Sequence, residues 1–128
     1  MTRLQHIALK TNDLEATRAF YLELLGLQGR YDAGSGHLWV NFEDGFVLRF
    51  DRSDDVPNAS AVQYLGLELT SFKAVDHMYE YLTPHVPVSR DLREIYRYAQ
   101  GPYGFFVGDP NGYLIKVFRY TTSSRGRM

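Results

Sequence analysis

From residue 4 to residue 10 the chain alternates, with His6, Ala8 and Lys10 on one side and Ile7 and Leu9 on the other. That period belongs to a half-buried strand. Leu14, Ala16, Phe20, Tyr21, Leu24 and Leu25 then recur at helical spacing. Asn12 stands where an N-cap belongs, with Glu15 three residues on to close a capping box, and Gly26 can end the helix in the left-handed region. Strand-like runs follow at residues 28–31, 37–42 and 46–51, separated by the 32–36 loop and the Glu43-Asp44-Gly45 turn. The first part of the chain therefore predicts β-α-β-β-β.

The segment Arg-Ser-Asp-Asp-Val-Pro-Asn-Ala-Ser, residues 52–60, is polar and aperiodic and reads as a linker. Alternation resumes with Tyr64, Gly66 and Glu68 opposite Leu65, Leu67 and Leu69. Ser71 is a candidate N-cap, and Val75, Met78, Tyr79 and Leu82 form a helical stripe stopped before Pro84. Residues 86–98 suggest a loop with a strand around 95–98, and strands are expected at 104–107 and 113–118. This is β-α-β-β-β again. Both copies end in a turn closed by Gly and a strand with a cation four residues later, Gly45 with Arg49 and Gly112 with Lys116. The predicted fold class is α+β: a first module at residues 1–51, a linker at 52–61, a second module at 62–119 and a frayed tail at 120–128. Modules of this size bury little surface alone. Pairing them into a curved sheet would leave a concave cleft for a small ligand.

Composition narrows the function. A net charge of −1 over 128 residues gives no electrostatic case for nucleic acid or a membrane surface. The absence of cysteine removes disulfides, thiolate metal sites and a cysteine nucleophile. No apolar run approaches the ~20 residues of a membrane-spanning helix. The first residues lack a signal-peptide core, so a cytoplasmic location is expected. Ten Tyr and eight Phe are many for this length; most are expected in the core, and some in a pocket wall that stacks a ligand.

Gln-His-Ile-Ala-Leu at 5–9, Asn-Asp-Leu-Glu-Ala at 12–16, Phe-Tyr-Leu-Glu-Leu-Leu-Gly-Leu at 20–27 and Asp-Pro-Asn-Gly-Tyr-Leu-Ile-Lys-Val at 109–117 occur in one order along the chain. Together they resemble the vicinal oxygen chelate superfamily, which includes glyoxalase I, bleomycin-resistance proteins, fosfomycin-modifying transferases and extradiol dioxygenases. The resemblance covers residues 3–119. It implies paired βαβββ modules and often a homodimer. It also implies a divalent metal held by a His on the first strand, a His or Gln on the equivalent strand of the second module, and Glu on the last strands.

This chain departs from that ligand set. The first position is His6, but the others fall on Tyr64, Arg49 and Lys116. Arg does not lose its proton in a protein and cannot ligate a metal. The leading expectation is therefore a metal-free protein with no cofactor that binds a small anionic or aromatic molecule. Its contacts would be His6, Arg49, Tyr64, Glu68, Tyr103 and Lys116, with Trp39 and Phe106 covering apolar parts. The alternative is a metal-dependent lyase, isomerase or dioxygenase whose divalent ion sits on His6 and recruited ligands, Glu68 first and His37 nearby. His77 and His85 read as surface residues, and Asp109 and Asn111 as turn residues.

Overall fold

The computed structural model describes residues 1–120, so the expected tail from Thr121 lies outside the described residues. Two units divide the chain after Asn58, and Pro110–Gly112 groups with the first of them.

In the first unit, β1 (His6–Thr11) leads into α1 (Leu14–Arg18), which continues as a π-helical turn over Ala19–Leu24. In that turn the Leu25 N–H reaches back to the Phe20 carbonyl at 2.9 Å. β2 (Gln28–Asp32), β3 (His37–Asn41) and β4 (Val47–Arg52) complete a sheet ordered β1-β4-β3-β2. Only the β1–β4 pair is parallel. The N-cap is Asp13 rather than Asn12: its Oδ1 accepts the Ala16 N–H at 3.0 Å. The strand runs on to Thr11, whose buried hydroxyl accepts the Asp13 N–H, so the helix starts one residue later than the sequence suggests. Glu15 does not close a box; its carboxylate pairs with Arg18 at 2.7 Å.

One side of this sheet is apolar and carries the core. Leu38, Val40 and Phe50 are fully buried with Leu14, Phe20, Tyr21 and Leu25, and the Tyr21 and Phe50 rings lie 4.9 Å apart. At the end of β1, the Thr11 hydroxyl meets Asn111 Oδ1 at 2.6 Å, and Asn111 Nδ2 donates to Thr17 Oγ1 at 3.1 Å. Thr11 and Thr17 are themselves 3.0 Å apart. This satisfied cluster holds polar groups that would otherwise be stranded in the core.

The second unit repeats the plan. β5 (Leu65–Glu68), α2 (Phe72–Leu82), β6 (Val88–Asp91), α3 (Arg93–Tyr96), β7 (Pro102–Gly108) and β8 (Leu114–Tyr120) follow in order, and the sheet runs β5-β8-β7-β6. A short 3-10 turn, Ala59–Ala61, occupies part of the expected linker. Ser71 caps α2 as expected, accepting the Ala74 N–H at 3.0 Å. The 86–98 segment differs from expectation, with the strand at its start and a helical turn where a strand was predicted. Asp91 Oδ1 accepts the Arg93 N–H at 3.0 Å and starts that turn. The apolar residues that suggested a strand are solvent-facing: Ile95 is 59% and Tyr98 95% exposed. Tyr120 belongs to β8, not to a tail.

The two glycine turns match. Gly45 and Gly112 both have φ near 91°, the positive region that favours glycine. The Phe42 N–H bonds to the Phe46 carbonyl in the first turn, and the Asp109 N–H to the Tyr113 carbonyl in the second.

Candidate functional site

Strand alternation gives each sheet a helix-facing side and an open side. In the first unit the open side carries His6, Ala8 and Lys10 from β1, Val47, Arg49 and Asp51 from β4, and His37, Trp39 and Asn41 from β3. Arg49 sits opposite Trp39 on one neighbour and Ala8 on the other. Ala8 fills little space there. Gln5, His6, Trp39, Val47 and Arg49 line a concavity of about 260 Å³.

Arg49 does not stand alone in that concavity. Its Nη2 donates to Asp51 Oδ2 at 3.0 Å. Its Nε lies 2.9 Å from Asp51 Oδ1, close enough for the charges to attract. That approach is not aligned as a hydrogen bond, so the buried Nε–H lacks a protein acceptor. His37 Nδ1 lies 2.8 Å from the same Asp51 Oδ1. Burial pushes the Asp51 carboxyl up, but hydrogen bonds from Arg49 and His37 outweigh it and hold the group below its ordinary value. Trp39 is flanked by the Arg30 guanidinium 4.1 Å from its ring centre and by the His37 ring at 5.4 Å. His6 Nδ1 is engaged by Gln5 Oε1 at 2.7 Å.

The second unit places Lys116 at the matching point of its own sheet, between Gly66 on β5 and Phe106 on β7. Its ammonium lies 5.2 Å from the Tyr64 ring centre and 5.1 Å from that of Phe118. Tyr64 and Phe106 meet edge to face at 5.5 Å. Extending the β5–β8 ladder by one residue sets Tyr64 beside Leu114, as His6 sits beside Val47. Glu68 lies 3.7 Å from the Arg119 guanidinium.

Tyr103 departs from expectation. It is 3% exposed and on the helix-facing side, with its hydroxyl donating to Asp76 Oδ1 at 2.6 Å. Positions 103, 105 and 107 point toward α2, and only Phe106 and its even-numbered neighbours reach the open side. Burial, then the hydrogen bond to Asp76, raises the Tyr103 pKa. Arg93 joins the same cluster, reaching Asp76 at 2.9 Å and Asp91 at 3.0 Å. His77 and His85 are exposed.

Within the first unit the fold thus brings His6 and Arg49 to one concavity; within the second it brings Tyr64 to Lys116. Sequence reading missed Asp51. The signal was present, since Asp51 lies two residues after Arg49 and shares its face of the strand.

The donors do not suit a divalent ion. Among the described residues no group of three or more His, Cys, Asp or Glu is arranged to hold a metal. Beside His6 stands the Arg49 guanidinium, and the Asp51 carboxylate on the same strand is already bound to that guanidinium. A metal needs several lone pairs and finds fixed positive charge instead.

No curated protein sequence matches the chain. Solved structures of the same fold include a possible glyoxalase from Bacillus cereus, 22% identical, with a TM-score of 0.74 over 93% of this chain and 100% of that one. A glyoxalase/dioxygenase from Nostoc punctiforme is 18% identical, with a TM-score of 0.78 over 94% and 92%. The fosfomycin resistance protein FosX from Listeria monocytogenes is also 18% identical, with a TM-score of 0.75 over 99% and 98%. A family model matches residues 3–117, and by that match the chain belongs to the Glyoxalase/Bleomycin resistance protein/Dioxygenase superfamily.

Proposed function

We propose that this chain is a small-molecule-binding member of its superfamily that takes an anionic, partly aromatic ligand at Arg49 without using a metal. The observation that carries the reading is the chemistry of the concavity in the first unit. Arg49 Nη1 has no protein partner among the described residues, and the Trp39 ring and the Val47 side chain give it apolar walls. A guanidinium with a free N–H edge beside an indole suits a carboxylate or phosphonate attached to a flat ring. His6 adds a second polar contact on the same wall.

Isothermal titration with benzoate and with benzamide tests this. Benzoate should bind and benzamide should bind much more weakly. Arg49→Ala should weaken benzoate binding at least about tenfold, the size of a lost charge-assisted hydrogen bond. Equal binding of the two probes, or no effect of the substitution, would refute the reading. The same titration on Lys116→Ala reads whether the aromatic face of the second unit contributes.

A further inference from the structure

We propose that the ligand of the Arg49 site carries a neutral hydrogen-bond donor beside its anion, and that Gln5 sets this requirement by fixing which nitrogen of His6 holds the hydrogen. The proposal rests on the reading of this face as an anion site and names the second group that its ligand needs.

The chain of bonds starts at the Gly45 turn. A carbonyl oxygen only accepts, so the Gln5 amide atom 3.2 Å from the Gly45 oxygen is Nε2. That settles which way the amide faces. Its Oε1, also an acceptor only, then meets His6 Nδ1 at 2.7 Å. The hydrogen of a neutral His6 ring therefore sits on Nδ1, and Nε2 keeps a lone pair. Both ends of the Gln5 bridge are anchored. The Gln5 backbone carbonyl accepts the Val47 N–H at 3.0 Å, one step before the β1–β4 ladder begins. The turn that offers the Gly45 carbonyl is closed by its own bond, from the Gly45 N–H to the Phe42 carbonyl at 2.9 Å.

His6 lines the concavity with Arg49, and its Nε2 has no protein partner among the described residues. One small ligand can therefore meet both groups. Arg49 is matched by an anionic acceptor, and His6 Nε2 by a donor. The charges on this face decide which donor. Lys10, Arg30 and Arg49 stand there against Asp32 and Asp51. The surplus is positive, so an ammonium donor is repelled and a neutral N–H or O–H is not. A hydroxyl both donates and accepts, and would suit either tautomer of His6. An N–H only donates, so it reads the lone pair itself. An acceptor put in its place would face that lone pair with no hydrogen between them.

The experiment has two readouts at pH 7.5, where an ordinary imidazole is neutral. Long-range proton–nitrogen NMR on the chain with isotope-labelled histidine reads the tautomer, and His6 is assigned by the signal lost in His6→Gln. Its Nδ1 should be protonated and its Nε2 bare, and Gln5→Leu should move the hydrogen toward Nε2. Titration calorimetry then compares indole-5-carboxylate and indole-6-carboxylate with the benzofuran acids of the same shape, whose ring oxygen replaces the N–H. At least one indole acid should bind about fivefold or more tighter than its benzofuran counterpart, the size of one hydrogen bond. Gln5→Leu should erase that ratio, while Arg49→Ala should weaken both acids alike. Equal affinities within both pairs, or a His6 hydrogen on Nε2 in the wild type, would overturn this inference alone. So would a ratio that survives Gln5→Leu. If neither these acids nor benzoate bind, the anion-site reading falls with it.

Discussion

Arg49 and Lys116 occupy the same place in two copies of one sheet, and the two units handle the charge differently. Each cation lies on the last strand, with a very small residue on one neighbouring strand (Ala8 or Gly66) and an aromatic on the other (Trp39 or Phe106). Two residues further along the strand the units part. The first places Asp51 there and the second Phe118. Arg49 is therefore held by a carboxylate, and Lys116 by ring faces at just over 5 Å. A repeated backbone fixes where a cation stands, and the next residue on the same face decides whether it is neutralised by an ion pair or by aromatic quadrupoles.

The difference is confined to the open sides, and the largest expected effects test that confinement. Phe50 and Phe105 are both fully buried on helix-facing sides, against Tyr21 and Tyr79 respectively. Truncating either to Ala should destabilise by about 3–5 kcal/mol, since each leaves a ring-sized cavity. Chemical denaturation followed by circular dichroism should return similar losses for the two. A loss confined to one unit would mean that the copies differ in their cores as well.

A smaller effect is expected at the ion pair. Arg49→Met leaves the Asp51 carboxylate, one-third exposed, with His37 as its remaining strong partner. A destabilisation of about 1–3 kcal/mol is expected at neutral pH, the range for stranding a partly buried polar group. The pH dependence follows from Asp51. Its folded-state pKa is depressed, so its contribution is present above the unfolded value, about 3.9, and is lost as pH falls through the folded value. Removing Arg49 takes away the leading donor that holds it down. The stability gap between wild type and Arg49→Met should then be widest near neutral pH and narrow as pH falls through the acid range. A gap that stays constant with pH would show that Arg49 does not hold the carboxylate.

Much of this comparison could be read from the chain, and the part that could not has a definite cause. Period-2 and period-3.6 patterns located seven of the eight strands and two of the helices, and the Gly-Arg and Gly-Lys spacing aligned the two cations. The family motifs named the fold. What failed were choices between near-equivalent local options. Asn12 and Asp13 can both cap a helix, and only the Thr11 hydroxyl, buried by tertiary packing, selects Asp13. Tyr103 was placed among the ligand contacts, but it lies on the helix-facing side, because a strand's parity is set by its ladder and its own sequence is apolar on both sides. The 93–96 turn was missed because Ile95, Tyr96 and Tyr98 imitate a strand, whereas Asp91 and Arg93 supply the bonds that coil it.

Tyr103→Phe isolates one polar contact in the second unit. It removes the 2.6 Å hydrogen bond to Asp76 and leaves the ring packing intact. Arg93 still satisfies the carboxylate at 2.9 Å, so the expected loss is about 0.5–1.5 kcal/mol. The raised Tyr103 pKa gives this contribution its pH window. It is complete below the ordinary tyrosine value and is lost as pH rises through the folded one. Denaturation midpoints of wild type and variant should therefore converge at strongly alkaline pH. A constant gap would assign the loss to packing.

The smallest effect belongs to Lys116, and it bears most directly on the contrast with Arg49. No carboxylate pairs with this ammonium among the described residues, so Lys116→Met strands no counter-charge. It gives up two ring contacts worth about 0.5–1 kcal/mol in all at a partly exposed site. The thioether regains much of that against the Tyr64 and Phe118 rings. The net change should fall within about 0.5 kcal/mol of zero, read as a shift in the urea midpoint at constant slope. Arg49→Met at the equivalent position should shift it several times further. Were Lys116→Met the more damaging of the pair, the aromatic cluster would have to be holding the cation more tightly than the carboxylate does, and the division between the two faces would be drawn in the wrong place.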